Sequence, residues 1–169
     1  MTIESRSRRY SSALLERVAR RLMSASPLCS LATVSPGGRA HVNHMYFARN
    51  DRYEVFWYSD RGSVHSRNLG QRPTAAITIY DSHQTYGLLD RGIQLFGVAA
   101  IATGRDGEEA LRIYRRRFRG VDPSAHTADR FRPRTVKIFD ERAIAPAMLV
   151  SARVTPAGLA WVKTEVWVV

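Results

Sequence analysis

The stretch EVFWYSDRGSVHSRNLGQRPTAAITIYD, from Glu54 to Asp81, decides how the rest of the sequence is interpreted. It contains two apolar runs of β type, Val55 to Tyr58 and Ala75 to Tyr80, separated by a connector rich in serine and arginine. The connector begins like the N-terminus of a helix. It is stopped by Pro73, because the residue before a proline disfavours helical geometry. The sequence therefore predicts a strand, a short helix and a second strand.

The start of this short helix has the composition of an anion-binding site. Exposed backbone N–H groups and the positive end of the helix dipole attract negative charge. Four nearby side chains are suited to phosphate oxygens: Arg61, Ser63, His65 and Arg67. A solvated basic turn is the alternative interpretation, because charged residues after a strand usually face water.

The preceding segments predict an antiparallel sheet. Leu28 to Val34 has the composition of a buried strand, and the turn Ser35-Pro36-Gly37-Gly38 leads into a second strand, Ala40 to Ala48. A turn at Asn50-Asp51 then leads into a third strand, Tyr53 to Ser59. These connections are too short for a crossover helix, so consecutive strands must run antiparallel.

The order of these segments resembles a known family. The resemblance is carried by ATVSPGGRAHVNHMYF (residues 32–47), FWYSDRGSVHSRNLGQRPTAAITIYD (56–81) and GIQLFGVAAI (92–101), and it covers about residues 22–103. This pattern is similar to the FMN-binding split barrels related to pyridoxamine 5′-phosphate oxidase. The resemblance implies a mainly β (α+β) fold, a six-stranded antiparallel split β-barrel with flanking helices, as a single domain over residues 1–169.

The resemblance also implies a cofactor site. Val42, Asn43 and His44 would lie along the flavin ring, with Tyr46, Tyr58 and Ser59 near it. Ser63, His65 and Arg67 would face the phosphate, with Arg61 able to assist. The family most often has Lys or Arg where this chain has His65, and neutral imidazole is a weaker phosphate partner. Asn68 and Leu69 are expected to serve the fold, and no catalytic residue is indicated.

The family resemblance further implies a homodimeric oxidoreductase that binds FMN at the subunit interface and acts on a small organic substrate. The apolar strand predicted at residues 159–169 contains Trp161 and Trp167, so it should be covered, and we expect it to pack on the partner subunit or within the monomer. The ending TEVWVV lacks the arginine element with which pyridoxamine 5′-phosphate oxidase holds its substrate phosphate. Pyridoxamine phosphate is therefore not the expected substrate.

Two amphipathic helices are predicted. Leu14, Leu15, Val18, Leu22 and Met23 recur at helical spacing within an N-terminal helical region, residues 1–25, with the helix itself at Ser12 to Ser24. A second helix is predicted at residues 106–119, and arginines crowd its polar face. That face lacks the Asn or Gln residues that read bases, so we expect a solvated surface and no nucleic-acid partner.

Composition favours a cytoplasmic protein of one domain. The net charge of the 169-residue chain is +11, and 24 of its 26 basic residues are arginines, since only Lys137 and Lys163 are lysines. The one cysteine, Cys29, lies in a predicted strand, so no intrachain disulfide or cysteine-based metal site is expected. No apolar run reaches membrane length, and the histidine spacing indicates no metal site.

Three alternatives remain open at this stage. First, a related branch of split barrels uses the deazaflavin F420. Second, another group binds haem, for which His44 or His126 could be an axial ligand. Third, the fold can serve as a non-enzymatic module that binds a flavin or another anion. Two predicted loops, residues 82–91 and 121–133, are candidates for substrate specificity. Their candidate side chains are His83, Gln84, Tyr86, His126 and Arg130.

Overall fold

The structure is a computed structural model that describes residues 2–168 of the chain. The described residues form ten strands and three helices. In chain order they are β1 (Thr2–Arg6), α1 (Ser12–Ser24), β2 (Leu28–Val34), β3 (Ala40–Tyr46), β4 (Ala48–Arg49), β5 (Val55–Ser59), α2 (Val64–Gln71), β6 (Thr74–Tyr80), β7 (Arg91–Ile101), α3 (Arg105–Arg117), β8 (Thr127–Asp140), β9 (Met148–Thr155) and β10 (Gly158–Val168).

The chain divides into two compact units. The first contains residues 2–26, 78–95 and 134–168, and the second contains residues 27–77 and 96–133. Strands β6, β7 and β8 therefore contain residues of both units. The prediction of a single domain over residues 1–169 stays a prediction.

The first unit is built on antiparallel strands and on α1. β10 pairs with β9 on one side and with β1 on the other, so both edges of the apolar C-terminal strand are hydrogen-bonded within the chain. The Ser11 side chain caps α1 by accepting a hydrogen bond from the Leu14 N–H at 3.3 Å. The apolar face of α1 is buried, and the helix contacts β10. None of the helices in residues 2–168 is long and apolar enough to cross a membrane.

The second unit contains the predicted β2–β3 hairpin, the strand β5 and the short helix α2. β2 pairs with β3 in the predicted hairpin, with Leu28 opposite Tyr46, and β6 lies on the other side of β2. β3 has no further strand beside it among the described residues, so it forms a sheet edge. β5 pairs with β4 and with β8. A core cluster joins these strands to α3: Ala48, Phe56, Ala102, Ala110, Ile113, Tyr114 and Ala128.

Three sequence expectations need correction. The described residues form ten strands, whereas six were expected. One additional strand is β1, which pairs with β10. Its five residues are all exposed and show no apolar periodicity, so the sequence pattern does not predict it. Residues 2–6 are therefore strand and not part of an N-terminal helical region. Residues 121–133 are also not wholly irregular, because β8 begins at Thr127. Buried charges at Asp129 and Arg130 interrupted the apolar alternation that would have indicated a strand there.

A buried ionic network in the second unit links β8, α3 and the residues just before β5. Arg130 donates to Glu54 Oε1 at 2.6 Å and also contacts the Asp106 carboxylate. Arg132 donates to Asp106 Oδ2 at 2.8 Å from a half-exposed position. The Asn50 side chain contacts the Glu54 carboxylate and donates to Glu109 Oε1 at 3.1 Å. These contacts fix the position of α3 against β8 and the residues just before β5.

Gly97 in β7 is required by a close approach of backbone. A Cβ at this position would lie 2.1 Å from the Arg132 carbonyl oxygen and 2.8 Å from the Pro133 Cα. We expect Gly97→Ala to lower the free energy of unfolding by about 1–3 kcal/mol in urea denaturation, because backbone must shift to relieve the overlap. Gly70→Ala in α2 is the control, since its Cβ would meet nothing within 4 Å. Equal stability of the two variants would contradict this assignment.

Candidate functional site

A cavity of about 320 Å³ lies in the second unit beside the sheet edge. Its walls come from β3, the end of β5, the first turn of α2, the buried face of α3 and the segment before β8. The lining residues are Asn43, His44, Met45, Tyr46, Tyr58, Ser59, Asp60, His65, Tyr114 and His126. Six of the ten residues proposed from sequence therefore meet around one cavity: Asn43, His44, Tyr46, Tyr58, Ser59 and His65.

The β3 wall presents a polar atom that lacks a partner. Asn43 Oδ1 is buried and accepts no hydrogen bond from any residue in the described part of the chain. His44 is positioned by Ser30 on β2, whose Oγ lies 2.9 Å from His44 Nδ1. That contact leaves His44 Nε2 available to a ligand. A buried acceptor without a partner is costly, and it indicates a missing hydrogen-bond donor.

The opposite wall is aromatic. The Tyr58 and Tyr114 rings meet edge to face at 5.0 Å, and Tyr114 contacts Phe118 at 4.7 Å. Phe118 in turn meets Tyr46 at 5.7 Å. Burial raises the pKa of Tyr58 and of Tyr114 above the ordinary phenol value, so both hydroxyls stay protonated near neutral pH. Within residues 2–168, the hydroxyls of Tyr46, Tyr58 and Tyr114 make no hydrogen bond and remain available as donors.

The start of α2 adjoins this cavity. Ser63 is the N-cap, and its side chain accepts a hydrogen bond from the Ser66 N–H at 3.4 Å. His65 Nε2 lies 2.8 Å from Ser59 Oγ and 3.2 Å from Ser63 Oγ. The helix therefore begins with hydroxyl and imidazole groups clustered at its positive end.

His65 favours the neutral form in this position. Burial lowers its pKa below the ordinary histidine value, and the positive charges of His41 and Arg61 lower it further. The neutral ring lies between two serine hydroxyls, which suits either tautomer. An anion at the helix start would oppose this tendency, because it stabilises imidazolium.

Four of the residues proposed from sequence do not line this cavity. Arg61 Nη1 donates to Asp129 Oδ1 at 2.9 Å, and Arg61 lines a different cavity. Arg67 donates to the Gly62 carbonyl oxygen beside the helix start. Ser63 is the N-cap residue of α2, and its side chain accepts a hydrogen bond from the Ser66 N–H. Val42 is 59% exposed on the sheet edge. Their roles in binding stay predictions.

Sequence reasoning missed three lining residues: Met45, Asp60 and Tyr114. Tyr114 lies in the second helix predicted from the sequence, on the face that the structure buries, and no sequence motif marks it as a site residue. Only the docking of α3 against β5 shows that its ring also reaches the cavity. His126 is a candidate from the sequence, and it lines the cavity. The loop at residues 82–91 belongs to the first unit, so its candidate residues stay predictions.

The described residues contain no group of three or more His, Cys, Asp or Glu side chains placed to hold a metal ion. Cys29 is buried in β2, and burial raises its pKa to about 12. The thiol therefore stays protonated and is a poor nucleophile. The polar side chains that line the cavity are amide, imidazole, phenol, hydroxyl and carboxylate groups.

A family model for pyridoxamine 5′-phosphate oxidase matches residues 15–143, which is more than half of the 169-residue chain. The chain belongs to the pyridoxamine 5′-phosphate oxidase family. No curated protein matches the sequence significantly. The matched range includes β2 to β7 and the whole lining of the cavity, so the site lies in the part of the chain that defines the family.

Solved structures of similar fold differ in what they bind. A pyridoxamine 5′-phosphate oxidase-related, FMN-binding protein from Nostoc punctiforme shares 16% identity, with a TM-score of 0.60 over 92% of this chain and 94% of its own. A heme-binding protein from Mycobacterium smegmatis shares 15% identity, with a TM-score of 0.60 over 94% and 88%. A protein of unknown function from Agrobacterium tumefaciens shares 19% identity and has a TM-score of 0.60; the match covers 73% of this chain but only 55% of that protein.

These likenesses, all below 25% identity, establish the fold. The expected antiparallel split barrel with flanking helices is confirmed as a fold class, although the number of strands is larger than six. Solved structures with this fold include both an FMN-binding and a heme-binding protein. The cofactor of this chain must therefore be argued from its own residues.

Proposed function

We propose that the protein is a flavoprotein oxidoreductase that binds FMN in the cavity beside β3. The observation that carries this proposal is the buried, unpartnered Oδ1 of Asn43, a residue that lines the cavity together with three phenols without hydrogen bonds. A flavin ring is planar, and its edge combines N–H donors with carbonyl acceptors. It fits an aromatic cavity that offers one buried acceptor and several donors.

The phosphate of FMN is proposed to bind at the start of α2. Ser63 and His65 lie at this helix start, and Arg67 follows in its first turn. Backbone N–H groups and the helix dipole add to the attraction of these side chains for a dianion. Ser59 connects the two parts of the site, because it lines the cavity and contacts His65.

FMN supplies hydride and electron transfer when it is bound, so the protein side chains serve to bind, orient and tune. Tyr58 and Tyr114 keep their protons near neutral pH and are proposed to donate hydrogen bonds to the cofactor or to a small organic substrate. Asn43 is proposed to orient the ring edge. An acceptor placed there favours one orientation of a ligand that carries both donors and acceptors.

A homodimer is proposed to complete the site. The sheet edge at β3 exposes Val42 by 59% and Tyr46 by 57%, and these side chains flank the cavity strand. Exposed apolar edges of this kind are commonly covered in a stable protein. Sedimentation velocity with and without FMN tests this step, and a monomer that binds FMN with full affinity would contradict it.

Haem is the second candidate, and one observation favours it. His44 Nδ1 is held by Ser30, which leaves His44 Nε2 free, and His126 lines the same cavity. Imidazole nitrogen is a common axial ligand of haem iron. The absorbance spectrum of protein incubated with FMN, haem or F420 separates the cases: a perturbed flavin spectrum supports the proposal, while a Soret band titrated by haem alone would overturn it.

The affinity for FMN is expected to depend on pH through His65. Its pKa is lowered in the free protein, so the ring is neutral at pH 7 and becomes cationic as pH falls through that lowered pKa. A bound phosphate favours the cation, so protonation should strengthen binding. The second pKa of the phosphate itself is about 6 and acts in the opposite direction.

The comparison with His65→Gln separates these two effects. Fluorescence titration gives the FMN dissociation constant of each protein. The ratio of the His65→Gln constant to the wild-type constant should rise as the pH falls from about 7.5 to about 5.5, because only the wild type gains a cation at this position. His65→Lys should bind FMN more tightly at pH 7.5 and lose the His65 component of the pH dependence. A ratio that stays constant with pH would contradict a phosphate contact at His65.

A further inference from the structure

A second cavity lies in the same unit, and it is lined by Arg61, which does not line the first cavity. Its volume is about 300 Å³, and it shares no lining residue with the first. Arg61 and Asp129 supply its charged groups. The remaining walls are apolar or small and include Leu69, Pro73, Ala99 and Ile101.

Asp129 is an unusual group for such a wall. Its side chain is only 1% exposed, and Oδ1 accepts a hydrogen bond from Arg61 Nη1 at 2.9 Å. Oδ2 is buried and has no hydrogen-bond partner within residues 2–168. Burial raises the pKa of Asp129, and the Arg61 guanidinium opposes that shift. A buried carboxylate oxygen without a hydrogen bond is energetically costly in a folded protein, so a ligand that donates a hydrogen bond to it would relieve that cost.

Arg61 complements this acceptor with donors. A guanidinium carries five N–H donors, and the contact with Asp129 uses a single nitrogen. The side chain is 35% exposed, so its other donors can reach a ligand in the cavity. The pair therefore offers one acceptor and one donor side by side, above an apolar surface.

We propose that this cavity binds a small molecule with an apolar body and a carboxamide edge, whose N–H donates to Asp129 and whose carbonyl oxygen accepts from Arg61. A carboxamide presents a donor and an acceptor on one edge, which matches the two side chains. The apolar body would lie against Leu69, Ala99 and Ile101. The site is independent of the FMN proposal, because the two cavities have no lining residue in common.

Benzamide is the probe, and N,N-dimethylbenzamide, which lacks the N–H donors, is its matched control. Ligand-detected NMR and calorimetry of the full chain should show saturable benzamide binding with a dissociation constant on the order of 1 mM, typical of a ligand of this size. The dimethyl compound should bind at least about tenfold more weakly. Equal binding of the two compounds, or no saturable binding of benzamide, would overturn the proposal.

Two variants locate the binding. Asp129→Asn converts the unpaired acceptor into a donor, and Ala100→Leu places a larger side chain in the exposed wall of the cavity. Each should weaken benzamide binding about tenfold. Ala160→Leu, at an exposed position of β10, should leave it unchanged. Full affinity in Ala100→Leu would place the ligand elsewhere and contradict the assignment.

FMN binding to the same variants distinguishes this inference from the proposed function. Ala100→Leu should bind FMN as the wild type does, because Ala100 lines only the second cavity. Benzamide binding that persists in protein saturated with FMN supports two sites. Displacement of benzamide by FMN would overturn the inference, since the second cavity would then belong to the cofactor.

Discussion

Arg130→Met is expected to lower the free energy of unfolding by about 3–5 kcal/mol, the largest stability effect of any single charge in the second unit. The Arg130 side chain is 8% exposed and contacts two carboxylates, Glu54 and Asp106. Its guanidinium also lies 5.9 Å from the centre of the Phe56 ring. Methionine keeps much of the packing but removes the buried cation beside Glu54. Arg52 and Arg132, which also contact that carboxylate, are more than half exposed and compensate its charge less well.

Arg132→Met is the matched control for this prediction. Arg132 contacts the same two carboxylates, but its side chain is 52% exposed, so solvent screens the lost interaction. Its effect should stay below about 1 kcal/mol in urea denaturation. In a Glu54→Gln background, Arg130→Met should cost less than in the wild type, because the charge left behind has been removed. Equal losses of unfolding free energy in Arg130→Met and Arg132→Met would contradict the prediction that the buried arginine stabilises the protein more than the exposed one.

The double variant His65→Leu/Arg67→Leu is expected to bind FMN about 100-fold more weakly than the wild type. Both side chains lie in the first turn of α2, where the cap Ser63 and the helix dipole converge. Each charge-assisted contact with phosphate contributes on the order of 1.5–3 kcal/mol. The hydrophobic replacements retain helix formation while they remove every donor from these two positions.

Riboflavin distinguishes loss of the phosphate contact from general damage, because it carries the same ring without the phosphate. The double variant should lose much less affinity for riboflavin than for FMN, because His65 also lines the ring cavity but Arg67 does not. Arg72→Leu removes a positive charge from the other end of α2, where Arg72 donates to the Pro36 carbonyl oxygen at 2.7 Å, and it should leave FMN affinity nearly unchanged. Equal loss of FMN and riboflavin binding in the double variant would place the phosphate elsewhere.

Local patterns in the sequence predicted the local elements well. The α1 boundaries and the hairpin from Leu28 to Tyr46 follow from periodicity and from turn residues that act within a few positions. The helix start at Ser63 was predicted for the same reason. The split-barrel fold itself was recognised from the order and spacing of motifs that are individually weak.

Features that depend on long-range packing could not be predicted in this way. Tyr114 reaches the cavity only because α3 packs against β5, and a helical pattern does not reveal which element it will contact. Arg130 falls in the loop predicted at residues 121–133, but the structure buries it in β8, where Glu54 and Asp106 compensate its charge. Arg61 was assigned to the phosphate from its place in the sequence, and its partner Asp129 is 68 positions away.

Titration of the full chain with FMN, followed by flavin absorbance and fluorescence at moderate salt, measures whether the protein binds this cofactor. Moderate salt suppresses nonspecific attraction of anions to a chain with a net charge of +11. We predict saturable binding of one FMN per chain, with weaker binding of riboflavin and a further loss of affinity when Asn43→Leu removes the buried acceptor. The absence of saturable FMN binding, or saturation by haem or F420 alone, would contradict the account.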